Sequence, residues 1–360
     1  MKIVFYENLV SHLRTPFHKA LISQGHDVTL IVDKELTEDR KKLGWKTQKI
    51  DGLNLIVNPS DEEIKQIIEN TKDACHFVAG INIYNIGKKA IKYLINANVK
   101  FYTGSEQFKN EGIKGKLRFL KSKQEYLKYN KHIKGIHAIG DEAYNWYKKL
   151  GYNTDKIHQW IYFSEVFDIK LEKEDTKVTF LFVGELSDRK NILYLIECFL
   201  KLPKNSAKLK IIGSGEHQKV IADYAKNNLD IDYLGVMPTK KVRAEMAKST
   251  VLVLPSNFDG WGAVVNEALL AGNYCITSNK CGSKLLFKNN KFLGTYFILE
   301  KNNLLDILEQ TIKNASDIDA SKIKNWAQLN LDAHKIASYF VETIEYNEGL
   351  SLNKPKAPWL

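Results

Sequence analysis

A chain of 360 residues with 44% hydrophobic content can bury a large core, and because single cores rarely exceed about 250 to 300 residues, we expect two domains. Four scattered cysteines without a Cys-x-x-Cys pair exclude a disulfide framework, and no run approaches the roughly 18 apolar residues of a membrane span. The net charge of +11 indicates an anionic partner, either nucleic acid, an anionic membrane or a phosphorylated substrate.

The first half alternates strand-like apolar runs with helix-sized segments, as in βαβ units with a parallel sheet. Its predicted strands are Ile3 to Tyr6, Val28 to Val32, Leu53 to Val57, His76 to Val78, Lys100 to Thr103 and Ile136 to Ile139. Pro16 and Gly25 are placed to begin and end the first helix, and Ser60 with Glu63 forms a capping box for the next. The first residues lack the long apolar segment of a signal peptide, so the expected location is the cytoplasm.

Residues 109–134 carry nine Lys and Arg against two Glu, a local excess of +7. Four apolar residues of this segment fit one helical face, namely Ile113, Leu117, Leu120 and Leu127. A basic helix of this kind suits an anionic membrane surface. The alternative is an ordinary helix that covers the N-terminal sheet and has a solvated basic side. Nucleic acid is not the expected partner, because no recognised binding motif accompanies the charge.

The second half repeats the alternation without repeating the sequence. Its predicted strands are Thr179 to Val183, Leu209 to Ile212, Ile231 to Leu234, Val251 to Leu254, Tyr274 to Thr277 and Tyr296 to Leu299. A polar, charged stretch within residues 162–176 predicts a boundary between domains at 1–165 and 166–334. The predicted fold class is α/β, with two doubly wound, Rossmann-like domains that face a central cleft. Ligands of such sheets bind outside the carboxyl ends of the strands.

Glycine turns follow three strands of the second half. Gly184 follows the first of these strands, and Arg189 and Lys190 stand at the start of the next predicted helix. The helix dipole disfavours cations there unless an anion is near. The two cations are therefore candidate diphosphate ligands, although solvated surface cations are the commoner case. The other turns hold Gly213, Gly215 and Gly235. They do not form a dinucleotide fingerprint, because Gln218 stands where the third glycine belongs.

The segment Pro255 to Ala268 holds two carboxylates eight positions apart. Gly260 and Gly262 indicate a turn with unusual backbone geometry, and a helix is expected to begin near Ala263 and to end at Gly272. Glu267 would then lie roughly 6 Å along this helix, while Asp259 stays in the loop before it, so both could reach one ligand. Backbone amides at the helix start would suit a phosphate. The alternative is that Asp259 caps the helix and Glu267 is a solvated charge.

These motifs resemble the nucleotide-sugar-binding domain of GT-B glycosyltransferases, specifically retaining glycosyltransferase family 4. The family's two glutamates, separated by seven residues, correspond to Asp259 and Glu267, with aspartate in the first place. Its Gly-Arg-Leu followed by Lys-Gly corresponds to Gly184-Glu185-Leu186 followed by Lys190-Asn191, with Glu185 in place of arginine. The resemblance covers most of residues 176–290. Residues 160–163 and 326–346 resemble the family's interdomain stretch and C-terminal helix.

The resemblance implies a GT-B fold, with an acceptor-binding domain at 1–165, a donor-binding domain at 166–334 and a C-terminal helix, about 335–360, that packs back on the first domain. Lys190 and Arg189 would bind the donor diphosphate, Asp259 the transferred sugar and Glu267 the ribose. The other implied donor-binding positions are Gly184, Gly213, Gly215, Gly235, Gly260, Trp261, Gly262 and Ala263.

The implied reaction is the retaining transfer of a hexose from a UDP- or GDP-sugar to a hydroxyl of a glycan. The implied acceptor is lipid-linked, as in lipopolysaccharide, O-antigen or capsule assembly at the inner face of the cell membrane. No metal and no cofactor are expected, since a cation of the protein can stabilise the departing diphosphate.

The acceptor half is less informative. The family's histidine after a mid-domain strand is replaced by Gly104-Ser105-Glu106, so Glu106 is an acceptor candidate together with Ser11 and His12, although each could be structural. Two other functions stay open. One is a non-catalytic nucleotide-sugar-binding protein, because Glu185 and Asp259 depart from the family. The other is a dinucleotide-dependent oxidoreductase, which the missing fingerprint disfavours.

Overall fold

The computed structural model describes residues 1–11, 13–37, 49–106, 108, 111–167, 169–171 and 177–360. They form two compact units. Unit 1 comprises Met1–Glu165 and Asp332–Pro358, and unit 2 comprises Val166–Leu331 and Trp359–Leu360.

The described part of unit 1 contains a seven-stranded sheet. Its strands are β1 (Lys2–Leu9), β2 (Asp27–Lys34), β3 (Leu53–Val57), β4 (Cys75–Ala79), β5 (Phe101–Glu106), β6 (Ile133–Ile139) and β7 (Ile157–Trp160). Their order is β3-β2-β1-β4-β5-β6-β7, and every neighbouring pair is parallel. The helices between them are α1 (Thr15–Ser23), α2 (Asp61–Asn70), α3 (Asn85–Asn96), α4 (Gly112–Tyr129) and α5 (Gly140–Leu150).

The central strands of unit 1 are apolar because helices cover both faces of a parallel sheet. All residues of β1 from Ile3 to Tyr6 are buried. The predicted helix signals also hold: Pro16 lies in the first turn of α1, Gly25 follows that helix with φ +82°, and the capping box of Ser60 and Glu63 begins α2.

Helix α4 is the basic segment predicted from the sequence, and it exposes its apolar residues. Ile113, Leu117, Leu120 and Leu127 are between 60% and 78% exposed. The opposite face is the packed one, since the ring of Phe119 meets that of Trp146 and Tyr126 meets Tyr152. Within the described residues, no helix is both long enough and apolar enough to cross a membrane.

The described part of unit 2 contains a six-stranded parallel sheet in the order β10-β9-β8-β11-β12-β13. Its strands are β8 (Val178–Val183), β9 (Ala207–Ile212), β10 (Ile231–Gly235), β11 (Val251–Leu254), β12 (Tyr274–Ser278) and β13 (Gly294–Phe297). Its helices are α6 (Ile192–Phe199), α7 (Gln218–Asn227), α8 (Thr239–Lys248), α9 (Val264–Leu270), α10 (Leu304–Lys313) and α11 (Ala320–Asn330). A short 3-10 helix, Gly282–Phe287, follows β12.

The last helix, α12 (Ala333–Asn347), belongs to unit 1. Asp332 begins it by accepting hydrogen bonds from the backbone N–H groups of His334 and Lys335. Buried side-chain hydrogen bonds fix α12 to the sheet of unit 1. His137 of β6 lies 2.8 Å from the Thr343 hydroxyl, and Asn347 Nδ2 donates to Nε2 of His158 at 2.8 Å.

The predicted fold of two Rossmann-like α/β units with parallel sheets is confirmed. Each of the twelve predicted strands is present, but β13 lies two residues before the predicted Tyr296 to Leu299. Strand β7 was missed, because Ile157–Trp160 is short and half polar. The stretch 326–346, expected to resemble one C-terminal helix, spans parts of two helices, because Asp332 starts a new helix after Leu331. The helix expected over about 335–360 ends at Asn347.

Candidate functional site

The loop after β8 carries Arg189 and Lys190 in a tight turn before α6. Lys190 N–H donates to Ser187 O, and Asn191 adopts φ +58° immediately before the helix. The Asn191 side chain donates to Pro255 O at 3.2 Å, which ties this turn to the loop after β11. Arg189 pairs with Glu185 at 3.0 Å, and both side chains are about half exposed. Position 185, where the family has an arginine, is a glutamate here, and the guanidinium of Arg189 lies beside it.

The glycine turns after β9 and β10 lie against this loop. A Cβ at Gly213 would stand 1.8 Å from Gly184 O, and one at Gly215 would stand 2.5 Å from Leu186 O. Gly213 N–H donates to Gly235 O at 2.9 Å. Only glycine therefore allows these backbones to approach so closely. Gly235, at φ +68°, has no atom within 4 Å of a Cβ position, so its requirement is conformational alone.

The Asp259 loop is fixed by backbone pairing with the segment after β12. Asp259 N–H donates to Lys280 O at 3.2 Å, and Gly282 N–H donates back to Asp259 O at 3.2 Å. Gly260 takes part in the same close approach, since a Cβ at Gly282 would stand 2.2 Å from Gly260 O. Gly262 has φ +87°, and a Cβ there would stand 2.7 Å from Leu254 Cδ2.

Helix α9 starts after Ala263 and ends before Gly272, as predicted. Its N-cap residue is Ala263, which has no side chain able to accept a capping hydrogen bond. The Trp261 side chain is fully buried and donates to Asn266 Oδ1 at 3.0 Å, so only its backbone is available to a ligand.

Lys190 and Asp259 form an ion pair at the carboxyl ends of the neighbouring strands β8 and β11. Their side chains are only 14% and 13% exposed. The pair is thus a cation and a carboxylate that neutralise each other in a mostly buried position. A mostly buried ion pair gains attraction from the low local dielectric, and removal of either partner leaves a costly charge.

Glu267 lies on α9, on the same strand–loop–helix unit as Asp259. Burial raises the pKa of its carboxyl group, and the Arg243 guanidinium of α8 opposes that shift. Arg243 itself stacks over the Phe167 ring at 4.3 Å. The structure therefore unites Lys190 with Asp259 directly, and it gives Glu267 a different electrostatic partner.

The acceptor candidates belong to unit 1. The Ser11 carbonyl accepts from Arg14 and Thr15 N–H groups, and its hydroxyl accepts from Leu13 N–H at 3.3 Å, so Ser11 shapes the start of α1. His12 lies outside the described residues. Glu106 ends β5 and accepts a hydrogen bond from the Tyr162 hydroxyl.

Sequence reasoning missed a polar group between the first two glycine turns of unit 2. His217 Nε2 is 2.7 Å from Asp188 Oδ1, and Glu216 accepts from Asp188 N–H at 2.9 Å. These three side chains place their ligand atoms within 4.8 Å of one another, as a divalent metal requires, although exposed acids often group in this way without an ion. Their positions directly beside the glycine turns were the available signal.

Comparison with known protein families identifies a domain in unit 2. Residues 163–327 match the family model described as Glycosyl transferases group 1. The unit contains a glycosyl transferases group 1 domain. An uncharacterized glycosyltransferase of Methanocaldococcus jannaschii, MJ1607, is 30% identical over 120 residues, which are 32% of this chain and 31% of that relative. An uncharacterized 41.2 kDa protein in the cps region of Klebsiella pneumoniae is 30% identical over 108 residues, 30% of this chain and 29% of its own. The matched segments span about a third of these curated relatives.

Solved structures resemble the whole chain, including the part outside the group 1 domain. Anabaena Alr3699/HepE in complex with UDP superposes with a TM-score of 0.71 at 13% identity, covering 96% of this chain and 100% of HepE. The apo lipopolysaccharide outer core galactosyltransferase WaaB gives a TM-score of 0.72 at 15% identity, covering 96% and 99%. At such identities the likeness establishes the GT-B fold alone.

Proposed function

We propose that the chain is a retaining glycosyltransferase that moves a hexose from a nucleotide-diphosphate sugar to a hydroxyl of a lipid-linked glycan. The observation that carries the proposal is the Lys190–Asp259 pair within the glycine-lined turns of the group 1 domain. The similar HepE has been solved with UDP and with UDP-glucose, and WaaG, another similar structure, is a glycosyltransferase of lipopolysaccharide biosynthesis.

The donor diphosphate competes with Asp259 for Lys190 in this proposal. When a nucleotide sugar binds, the Lys190 ammonium turns to the diphosphate, and Arg189 adds a second cation from the same turn. Asp259 then accepts hydrogen bonds from hydroxyls of the transferred sugar, and Glu267 from the ribose. As the sugar–phosphate bond breaks, the ammonium stabilises the charge that develops on the diphosphate. The acceptor hydroxyl attacks on the face that the diphosphate leaves and gives its proton to the departing phosphate oxygen, so the anomeric configuration is retained.

We also propose that α4 places the enzyme on an anionic membrane at the cytoplasmic face, where lipid-linked acceptors are found. Its exposed leucines would enter the acyl boundary, and its lysines would contact anionic headgroups. Sedimentation with vesicles tests this. Binding to phosphatidylglycerol-containing vesicles should fall with salt and with Leu117→Glu, and should be absent with phosphatidylcholine alone. Leu329→Glu, a change at a leucine of α11 that is 62% exposed, is the matched control. Equal loss in both variants would contradict this role for α4.

A screen of nucleotide sugars tests the reaction itself. Binding is measured calorimetrically, and turnover is measured as release of the nucleoside diphosphate with and without extracted membrane lipids. Binding of a donor without any turnover would instead favour a non-catalytic nucleotide-sugar-binding protein, for which the neutralised Lys190 is the supporting observation. A response to NAD or NADP alone would favour an oxidoreductase.

A further inference from the structure

The carboxyl edge of the unit 1 sheet carries a hydrogen-bonded carboxylate–phenol pair that the proposed reaction does not use. Glu106 is the last residue of β5, and Tyr162 follows β7 by two residues. The Tyr162 hydroxyl donates to the Glu106 carboxylate. Both residues are partly exposed to solvent. In parallel α/β sheets this edge is where ligands bind.

Buried contacts fix the direction of both side chains. Ser105, beside Glu106, hydrogen-bonds the Tyr147 hydroxyl at 2.8 Å in the core. Gly104 approaches β6 so closely that a Cβ would stand 2.6 Å from His137 O. On the other side, Trp160 and Ile161 are buried directly before Tyr162. The pair is therefore held by rigid strand ends, as a specific binding site requires.

Arg14 is the basic residue considered at this edge. Its Nε lies 3.2 Å from a carboxylate oxygen of the buried Glu7, and its guanidinium stacks 5.4 Å from the centre of the Phe77 ring. Burial, and then the neighbouring Glu106 carboxylate, raise the pKa of Tyr162 well above its usual range. The Arg14 charge opposes this rise, and Tyr84 adds to it. A Cβ at Gly104, two residues before Glu106, would stand 3.1 Å from Phe77 Cζ, so Arg14, which lies over the Phe77 ring, is near the end of β5.

The charges at this edge favour a neutral ligand. Arg14 is already paired with the buried Glu7 at 3.2 Å, whereas the Glu106 carboxylate is partly exposed. The Glu106 carboxylate would repel a phosphate here. Hydroxyl groups, by contrast, donate to a carboxylate and accept from a guanidinium, and the Tyr162 ring offers apolar surface to a sugar ring.

We propose that Glu106, Tyr162 and Arg14 form a subsite for a neutral sugar residue. Glu106 accepts hydrogen bonds from the sugar hydroxyls, Tyr162 orients the carboxylate, and Arg14 donates to a sugar oxygen. The proposal rests on the proposed function for the identity of this sugar as the part of the acceptor that receives the hexose. It locates the neutral part of that acceptor, as opposed to its phosphate.

Saturation-transfer NMR on the full chain, saturated with UDP, tests the subsite. The probes are glucose, galactose, mannose and rhamnose, with glucose 6-phosphate and inorganic phosphate as anionic comparisons. At least one neutral sugar should bind, and Glu106→Gln should weaken it by about tenfold or more, because charge-assisted hydrogen bonds are worth about 1.5–3 kcal/mol. Tyr162→Phe should weaken it by a smaller factor, since the carboxylate stays.

The control is Glu69→Gln, which removes an exposed carboxylate of α2 that pairs with Lys72. It should change neither sugar nor UDP binding. Unchanged sugar binding in a folded Glu106→Gln variant would overturn the subsite, and so would binding of the phosphates by the native chain that is tighter than that of every neutral sugar. If the native chain did not bind UDP at all, the result would instead count against the donor site. Failure of the subsite and failure of the proposed function are therefore distinguishable.

Discussion

Replacement of Lys190 by methionine tests the donor site most informatively. The substitution keeps the length of the side chain and removes the charge that pairs with Asp259. If Lys190 binds the diphosphate by charge-assisted hydrogen bonds worth about 1.5–3 kcal/mol, the Kd for UDP should rise about 10- to 150-fold. The assay is isothermal titration calorimetry with UDP at fixed ionic strength.

Asp259→Asn gives the opposite expectation for the nucleotide. The neutral amide no longer holds Lys190, so UDP should bind as tightly as in the native chain or more tightly. Turnover of the nucleotide sugar should nevertheless fall, because the carboxylate that holds the sugar hydroxyls is lost. An effect of opposite sign on UDP binding distinguishes a shared cation from general damage to the loop.

Lys210→Met is a matched control. Lys210 pairs with Glu245 at 2.8 Å, and their side chains are 14% and 19% exposed, so this ion pair of unit 2 is as buried as that of Lys190. The control should lower the melting temperature to a similar extent but leave UDP affinity unchanged. The reasoning fails if Lys190→Met binds UDP as well as the native chain does, or if both variants lose the same affinity.

Two further predictions concern stability. Gly213→Ala should lower the melting temperature of unit 2 far more than Gly235→Ala. A Cβ at Gly213 would stand 1.8 Å from Gly184 O, whereas at Gly235 only backbone strain of about 1–2 kcal/mol is expected. Equal shifts in the two variants would contradict the close approach of the turns. Burial, and then the Lys354 charge, lower the pKa of His158 to about 4. The folded chain therefore binds this proton less readily than the unfolded chain, with its pKa near 6.5. Stability should be complete above pH 6.5 and fall by up to about 3 kcal/mol toward pH 4. Thermal melts across this range should show the fall, and His158→Gln should reduce it.

The fold could be predicted because strands buried on both faces are almost wholly apolar. The β-branched run of β11 and the strand of β1 are of this kind, and the turns between elements contain glycine, proline or capping residues. Strand β7 was not predictable in the same way, since His158 and Gln159 are polar. They are accommodated there because Asn347 bonds to the His158 ring and the Gln159 side-chain amide donates to Asp141 Oδ1 at 2.9 Å.

The residues of the candidate site could be predicted from the sequence, but the ion pair between them could not. The spacing of Asp259 and Glu267 and the glycine turns follow from local sequence. The ion pair between Lys190 and Asp259 joins residues 69 positions apart, and it depends on β8 and β11 being neighbours in the sheet. For the same reason, the bond of Tyr162 to Glu106 required the strand order of unit 1.

Release of nucleoside diphosphate from a nucleotide sugar is the most direct test of the proposed reaction. The native chain and Lys190→Met are incubated with UDP- and GDP-hexoses in the presence of membrane lipids, and the product is analysed for its anomeric configuration. The account predicts release with at least one donor, retention in the product and a rate at least tenfold lower in the variant. Equal rates in the two proteins, or no binding and no release with any donor, would contradict it.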